Sequence, residues 1–257
     1  MTPPTFADHM AFALDPAAFA AACGLSELDS WQAELLRDVQ PAHDWIALCS
    51  RQSGKSACAA VAALRRCLFA PGSLTLICSA GQRQAQEVLG HATAMYRRIG
   101  APVVATSENV SLLTLENRSR LFSLPSSPST VRGYTPDFII VDEAAQCPDE
   151  LFYGSLRPMQ LVAGANMWLL STPYGKRGFF HAEWTEGGDR WRRVKVTADM
   201  CPRVDPAFLE AERRTSLWFD AEYNCMFTET SAERVFSDDE IARLFPTDPE
   251  VVPWNVI

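Results

Sequence analysis

The residues best suited to do chemistry form a short loop between a predicted buried strand, residues 45–49, and a predicted helix, residues 57–68. The loop ends in the tripeptide Gly54-Lys55-Ser56. Backbone N–H groups of such a loop, the N-terminus of the following helix and the lysine charge all attract phosphate, and a serine hydroxyl can ligate Mg²⁺. The pattern therefore predicts a loop that binds nucleotide phosphates.

One position departs from the usual pattern of this loop, because Cys49 stands where a first glycine is common. A coincidental or inactive loop is therefore the alternative interpretation. The predicted phosphate-binding residues are Ser50, Arg51, Gln52, Ser53, Gly54, Lys55 and Ser56.

A second motif supplies two carboxylates. Residues 138–141 are apolar, which predicts a central parallel strand, and Asp142 and Glu143 follow directly. In a nucleotide hydrolase, the first carboxylate holds the Mg²⁺ shell and the second orients and deprotonates the attacking water. The alternative is an ordinary strand followed by a helix whose first turn favours acidic residues. Together with Lys55, the two carboxylates favour a nucleoside triphosphate site.

The elements around these motifs alternate between strand and helix patterns, which predicts a parallel sheet with right-handed crossovers. A helical appendage is predicted at residues 206–227. The other predicted strands are residues 74–79, 102–106, 166–171 and 191–196, with a hairpin of residues 111–115 and 119–124, and the other helices are residues 31–38, 82–99 and 148–159.

Composition sets the broad class. The chain has 257 residues, 47% of them hydrophobic, and a net charge of −8, which fits one large α/β domain with or without an appendage. No apolar run is long enough to span a membrane, and the N-terminus lacks the pattern of a signal peptide. The eight cysteines include no C-x-x-C pair, so neither zinc nor a disulfide framework is expected, and a reducing cytoplasm fits best.

Two further motifs each allow two interpretations. Gln32 follows Asp29 by three residues, so it either completes a capping box or, with Trp31, reads the edge of an adenine base. Ser171 and Thr172 end a predicted buried strand, where their hydroxyls either sense the γ-phosphate or simply cap the strand.

In this order, the motifs resemble those of the ATPase domain of the large terminase subunit, the DNA-packaging motor of tailed bacteriophages. The resemblance covers about residues 25–240. The segments that carry it are Trp31-Gln32, the loop of residues 50–56, Val131-Arg132-Gly133, Val141-Asp142-Glu143-Ala144-Ala145 and Ser-Thr-Pro-Tyr-Gly-Lys-Arg-Gly-Phe-Phe at residues 171–180.

The resemblance implies an α/β fold of the P-loop (ASCE/RecA-like) class, with a parallel-rich sheet flanked by helices and a small C-terminal helical lid subdomain. It divides the chain into an N-terminal helical extension (residues 1–27), an ATPase core (28–200), a lid (201–236) and a linker (237–257) toward a nuclease domain. That domain is not expected within this chain, so no DNA cleavage is expected from it.

The resemblance also assigns roles to the motif residues. Lys55 and Ser56 would hold the β- and γ-phosphates and Mg²⁺, Asp142 would complete the metal shell, and Glu143 would be the catalytic base. Gln32, with Trp31 nearby, would read the adenine.

Further roles implied by the resemblance concern coupling and charge stabilisation. Ser171 and Thr172 would link hydrolysis to movement. Arg51 would contact the γ-phosphate within its own subunit, and Arg132 would act as an arginine finger on a neighbouring subunit, where developing phosphoryl charge needs a desolvated donor. Either arginine could instead be an ordinary surface or salt-bridging residue.

The implied cofactors are ATP and Mg²⁺. The implied partners are double-stranded DNA, a portal protein, a small terminase subunit and further copies of the chain in a ring, a pentamer by analogy, in the cytoplasm of an infected bacterium. Candidate DNA contacts are the hairpin around Arg118 and the basic residues at 176–195. Two alternatives stay open: a fragment of a superfamily-2-like helicase, and an assembly module that binds nucleotide without hydrolysis.

Overall fold

The computed structural model describes residues 5–38, 43–131 and 133–229. Within them one sheet contains eight strands. The strands are β1 (Asp44–Cys49), β2 (Leu74–Ser79), β3 (Ala105–Asn109), β4 (Leu112–Leu115), β5 (Arg120–Pro125), β6 (Phe138–Asp142), β7 (Asn166–Ser171) and β8 (Trp191–Val196).

The sheet has the order β3-β4-β5-β2-β6-β7-β1-β8. Strands β5, β2, β6, β7, β1 and β8 are parallel, whereas β3, β4 and β5 form an antiparallel edge. The predicted parallel-rich sheet is therefore confirmed. Because parallel strands end at one edge, the segments that follow β1, β6 and β7 meet there, with Leu48 paired to Ser171 and Asp142 paired to Leu170.

The helices pack on both faces of this sheet, and α4 is buried along most of its length because its alanines allow close approach to the strands. They are α1 (Phe6–Leu14), α2 (Pro16–Ala22), α3 (Ser30–Arg37), α4 (Lys55–Phe69), α5 (Gln82–Arg98), α6 (Pro128–Val131), α7 (Asp149–Leu151), α8 (Arg157–Ala163), α9 (Gly178–Glu186), α10 (Pro206–Thr215) and α11 (Phe219–Glu222). Short turns of other helix types occur at Ala144–Gln146, Phe152–Leu156, Gly188–Arg190 and Ala198–Met200.

Most predicted elements are found, but several differ in detail. The strand predicted at residues 102–106 is displaced to β3, since its pairing with β4 begins at Asn109 and Leu112 beside a tight turn. The helix predicted at residues 148–159 is interrupted by the Phe152–Leu156 turn, and α9 was not predicted. The predicted linker, residues 237–257, and the last part of the predicted lid lie outside the described residues.

No helix within the described ranges is both long and apolar enough to cross a membrane.

Candidate nucleotide-binding site

The predicted phosphate loop connects β1 directly to α4. Gly54 precedes the first residue of α4 and has φ 86°, a conformation that favours glycine. Gln52 also lies in the left-handed region, with φ 58°, which is strained for a residue with a side chain. Cys49 is the last residue of β1, is buried, and does not have a positive φ. A glycine is therefore not needed at this position, and the departure from the usual pattern is accommodated.

Lys55 and Glu143 meet at the centre of the site. Lys55 Nζ donates to Glu143 Oε1 at 2.8 Å, and the two side chains are only 10% and 20% exposed. Glu143 has φ 51°, so a strained backbone directs this carboxylate toward the lysine. Burial alone would lower the pKa of Lys55, but the charges of Glu143 and Asp142 outweigh it and raise that pKa. The lysine is therefore held as a cation beside two carboxylates.

Ser56 and Asp142 form a second contact next to the first. Ser56 Oγ donates to Asp142 Oδ2 at 2.7 Å, and the backbone N–H of Glu143 donates to Asp142 Oδ1 at 3.1 Å. Burial raises the pKa of Asp142, and the charge of Lys55 opposes the rise. A hydroxyl and a carboxylate oxygen in contact are the hard donors that Mg²⁺ takes when nucleotide phosphates complete its shell, so these residues fit the metal.

The end of β7 lies beside the catalytic candidate. Ser171 Oγ accepts from the Ala145 N–H at 3.1 Å, donates to the Thr172 carbonyl at 2.8 Å, and lies 3.5 Å from Glu143 Oε2. Thr172 lines a cleft of about 470 Å³ that Arg51 and Glu143 also line. Thr172 therefore shares one cleft with the carboxylate that would activate water, and Ser171 lies buried beside that carboxylate.

Arg51 is paired with the last residue of α11. Its Nη2 lies 3.0 Å from Glu222 Oε1, and its backbone N–H donates to the Glu222 carbonyl at 2.9 Å. Both contacts join the phosphate loop to α11. Arg132, the other predicted arginine, lies outside the described residues.

The capping-box interpretation of Gln32 is confirmed. Gln32 Oε1 accepts from the Asp29 N–H at 3.0 Å at the start of α3. The same side chain lines a cavity of about 640 Å³ together with Gly54, and a Cβ on Gly54 would lie 2.8 Å from Gln32 Nε2. The cap therefore leaves the amide nitrogen beside the phosphate loop, and adenine reading stays a prediction. The indole of Trp31 lies in the hydrophobic core and donates to Asp29 Oδ2 at 3.3 Å.

Two residues that contact the phosphate loop were not predicted as site residues from the sequence. Arg203 binds Asp29 and the carbonyl of Ser53, and Glu222 binds Arg51. No local pattern predicts either set of contacts, because each residue meets a partner far away in the chain. The N-cap signal of Asp29 was visible, but its second role as the partner of an arginine was not.

The basic residues proposed as DNA contacts are partly engaged elsewhere. Arg190 pairs with Asp44 at 2.9 Å, and Lys176 pairs with Glu229 at 2.8 Å. Arg118 occupies the turn between β4 and β5, at the edge of the sheet opposite the phosphate loop, because β5 runs parallel to β2. Its hairpin is therefore remote from the site.

Comparison with known proteins identifies the family. A family model described as the terminase large subunit, T4-like virus type, N-terminal region, matches residues 46–243. The large terminase subunit of Thermus virus P23-45 is 27% identical over an alignment 154 residues long, which covers 52% of this chain and 32% of that protein. The large terminase subunit of Thermus phage G20c gives the same identity and coverage. The chain therefore matches about a third of the length of these curated relatives.

Solved structures share the fold. The large terminase ATPase domain of Thermus phage P74-26 superposes with a TM-score of 0.68 and 22% identity, covering 79% of this chain and 94% of that one. The large terminase of a thermophilic bacteriophage, in complex with ADP, gives a TM-score of 0.61 and 14% identity, covering 79% of this chain and 54% of that one. On the family match and the site geometry, the chain belongs to the family of large terminase subunits and contains the N-terminal region of that family.

Proposed function

We propose that this chain is the ATP-hydrolysing motor domain of a viral large terminase and drives double-stranded DNA into a procapsid. The observation that carries the proposal is the pair of contacts from adjacent residues of α4 to adjacent carboxylates, Lys55 to Glu143 at 2.8 Å and Ser56 to Asp142 at 2.7 Å. A phosphate loop that meets two carboxylates at the carboxyl edge of a parallel sheet is the arrangement that phosphoryl transfer requires.

In the proposed reaction, Glu143 accepts a proton from water that attacks the γ-phosphorus in line. Its carboxylate is preorganised by a strained backbone and by Lys55, which must shift toward the phosphates when nucleotide binds. When the Lys55 side chain moves from Glu143 to the phosphates, the Glu143 carboxylate would lose its ion-pair partner and become free to take the proton. The nucleotide itself would therefore prepare the base.

Mg²⁺ would be held by Ser56 and Asp142, and when bound it neutralises charge that develops on the phosphate oxygens. The raised pKa of Asp142 favours its neutral form, so a cation beside it would favour ionisation. The remaining partners of the metal would come from the nucleotide and water.

Arg51 would contact the γ-phosphate only after leaving Glu222. The pair is partly exposed, 63% for Arg51 and 23% for Glu222, so its separation costs little. Since Glu222 ends α11 in the lid, movement of this arginine would connect the state of the nucleotide to the lid. Ser171 and Thr172 would report the same event from β7.

The further partners are proposed from membership of the family. They are double-stranded DNA, further copies of the chain in a ring, a portal protein and a small terminase subunit, in the cytoplasm of the infected bacterium. DNA contacts should be mostly to phosphates, so binding should weaken steeply with salt. Arg132 would be the finger that acts between subunits.

The test is steady-state phosphate release with Mg-ATP over a wide range of protein concentration, with and without double-stranded DNA. Specific activity that rises with concentration supports a finger acting between subunits, and activity that is constant supports a site complete in one chain with Arg51. Binding of ATP without any hydrolysis under either condition would refute the proposed activity for this chain.

A further inference from the structure

Arg203 makes an unusual set of contacts between the core and the segment that leads into α10. Its Nη1 and Nη2 donate to the two carboxylate oxygens of Asp29 at 3.0 and 2.6 Å. Nη2 also donates to the carbonyl of Ser53, inside the phosphate loop, at 3.0 Å. One guanidinium therefore joins the start of α3 to the phosphate loop.

The contacts continue from Asp29 back to the same loop. The Asp29 N–H donates to Gln32 Oε1, and Gln32, which is 2% exposed, has its amide nitrogen beside Gly54. The result is a closed ring of contacts that runs from Arg203 through Asp29 and Gln32 to Gly54, and from Ser53 back to the guanidinium. Motion of any one member would disturb the others.

This ring of contacts borders the 640 Å³ cavity next to the phosphate loop. Its volume lies in the range of small-molecule pockets. Leu25, Leu28, Met200 and Pro202 supply apolar wall, whereas Asp29, Gln32 and Arg203 supply polar groups. A cavity of mixed character beside the phosphate loop suits the nucleoside part of a nucleotide.

We propose that Arg203 is a positioning residue for nucleotide binding, which keeps the nucleoside cavity and the phosphate loop in one fixed relative geometry. This proposal rests on the proposed ATP-binding function. The bidentate, charge-assisted geometry suits this role because it fixes direction as well as distance, and a lysine could not reproduce it. The hydrogen bonds and charge of Asp29 raise the pKa of Arg203, so the guanidinium stays charged in the ring.

The role predicts a selective effect on substrate binding. Removal of a charge-assisted hydrogen-bond network of this kind weakens binding by about tenfold when part of it is exposed, as Arg203 is at 46%. We expect Arg203→Met to raise the KM for Mg-ATP about tenfold and to leave kcat within about threefold. Arg203→Lys should give an intermediate KM, since it keeps the charge but loses the fork.

The experiment compares these variants with Arg214→Met, a matched control. Arg214 lies in α10 of the same lid and pairs with Glu210 at 2.9 Å on the exposed surface. Binding of ATP and of inorganic tripolyphosphate is measured by calorimetry for each protein, together with the thermal midpoint. Arg203→Met should weaken ATP more than tripolyphosphate, because only ATP occupies the cavity, and Arg214→Met should change neither.

An unchanged KM in Arg203→Met, or equal weakening of ATP and tripolyphosphate, would overturn the proposal. A lowered thermal midpoint without a change in KM would assign Arg203 a structural role and overturn it as well. If Arg203→Met does not fold, Arg203→Lys and Asp29→Asn provide the same comparison. A wild-type protein that binds no ATP would instead refute the proposed function, and that result is distinct from the others.

Discussion

Replacement of Glu143 by glutamine separates chemistry from binding at this site. The carboxylate accepts a hydrogen bond from Lys55 at 2.8 Å and is the proposed general base. Loss of a general base costs about 10²- to 10⁴-fold in rate. At 1.36 kcal/mol per decade, this is a rise of about 3 to 5 kcal/mol in the activation barrier. We therefore expect kcat for ATP hydrolysis to fall by at least about a hundredfold.

ATP binding, in contrast to turnover, should become stronger in Glu143→Gln. In the wild-type protein, Lys55 gives up an ion pair with the Glu143 carboxylate in order to reach phosphate, whereas in Glu143→Gln it gives up a hydrogen bond to an uncharged amide oxygen. The ion pair is stronger by about 1 kcal/mol, so its loss from the unliganded state corresponds to about fivefold tighter ATP binding. The change also removes one negative charge from beside the phosphates.

The assay measures phosphate release and the calorimetric Kd for Mg-ATP on the same preparation. Glu150→Gln is the matched control, because Glu150 is an exposed glutamate in α7. It should leave both quantities unchanged. Turnover of Glu143→Gln within tenfold of wild type would refute Glu143 as the base, and loss of ATP binding in parallel with turnover would refute the competition for Lys55.

Three further outcomes are expected. Glu222→Gln removes the partly exposed ion pair with Arg51, which is worth about 0.2 to 1 kcal/mol. Steady-state kinetics should therefore show the KM for ATP lowered by up to about fivefold. A raised KM would contradict a role for Arg51 at the phosphate. Trp168→Ala removes a fully buried ring whose centroid lies 5.1 Å from that of Phe138. Chemical denaturation should show that the free energy of unfolding falls by about 3 to 5 kcal/mol. Unchanged stability would contradict this packing. Burial raises the pKa of the Cys67 thiol to about 12. Alkylation of this thiol at pH 8 should therefore be far slower in the folded protein than in denaturant. Equal rates would contradict the burial.

Much of the fold follows from patterns that act over a few residues. Apolar runs predicted β1, β2, β6 and β7 close to their observed bounds, because a strand buried on both faces carries an uninterrupted apolar sequence. The edge strand β3 begins and ends three residues later than predicted, since its side chains are mostly exposed and leave no apolar pattern. The break within the helix at Phe152–Leu156 contains Gly154 and is followed by Pro158, two residues that disfavour a helix interior, so the sequence carried a local signal for the break.

The features of the site likewise divide into those that the sequence predicted and those that only the tertiary structure decided. The sequence alone predicted Lys55, Ser56, Asp142 and Glu143 as site residues, because phosphate and magnesium chemistry needs these residue types beside a strand end, and the motif order pointed to the large terminase family. Only the tertiary structure placed β7 between β6 and β1, and so brought Ser171 to the carboxylates.

The long-range pairing of charged side chains around the site was decided by the tertiary structure. Arg203 and Asp29 lie 174 residues apart and share no pattern, and the partner of Arg51 proved to be Glu222 in α11. The physical reason is that periodicity and capping act along a few turns of chain, whereas a guanidinium can bind whichever carboxylate the fold brings within reach.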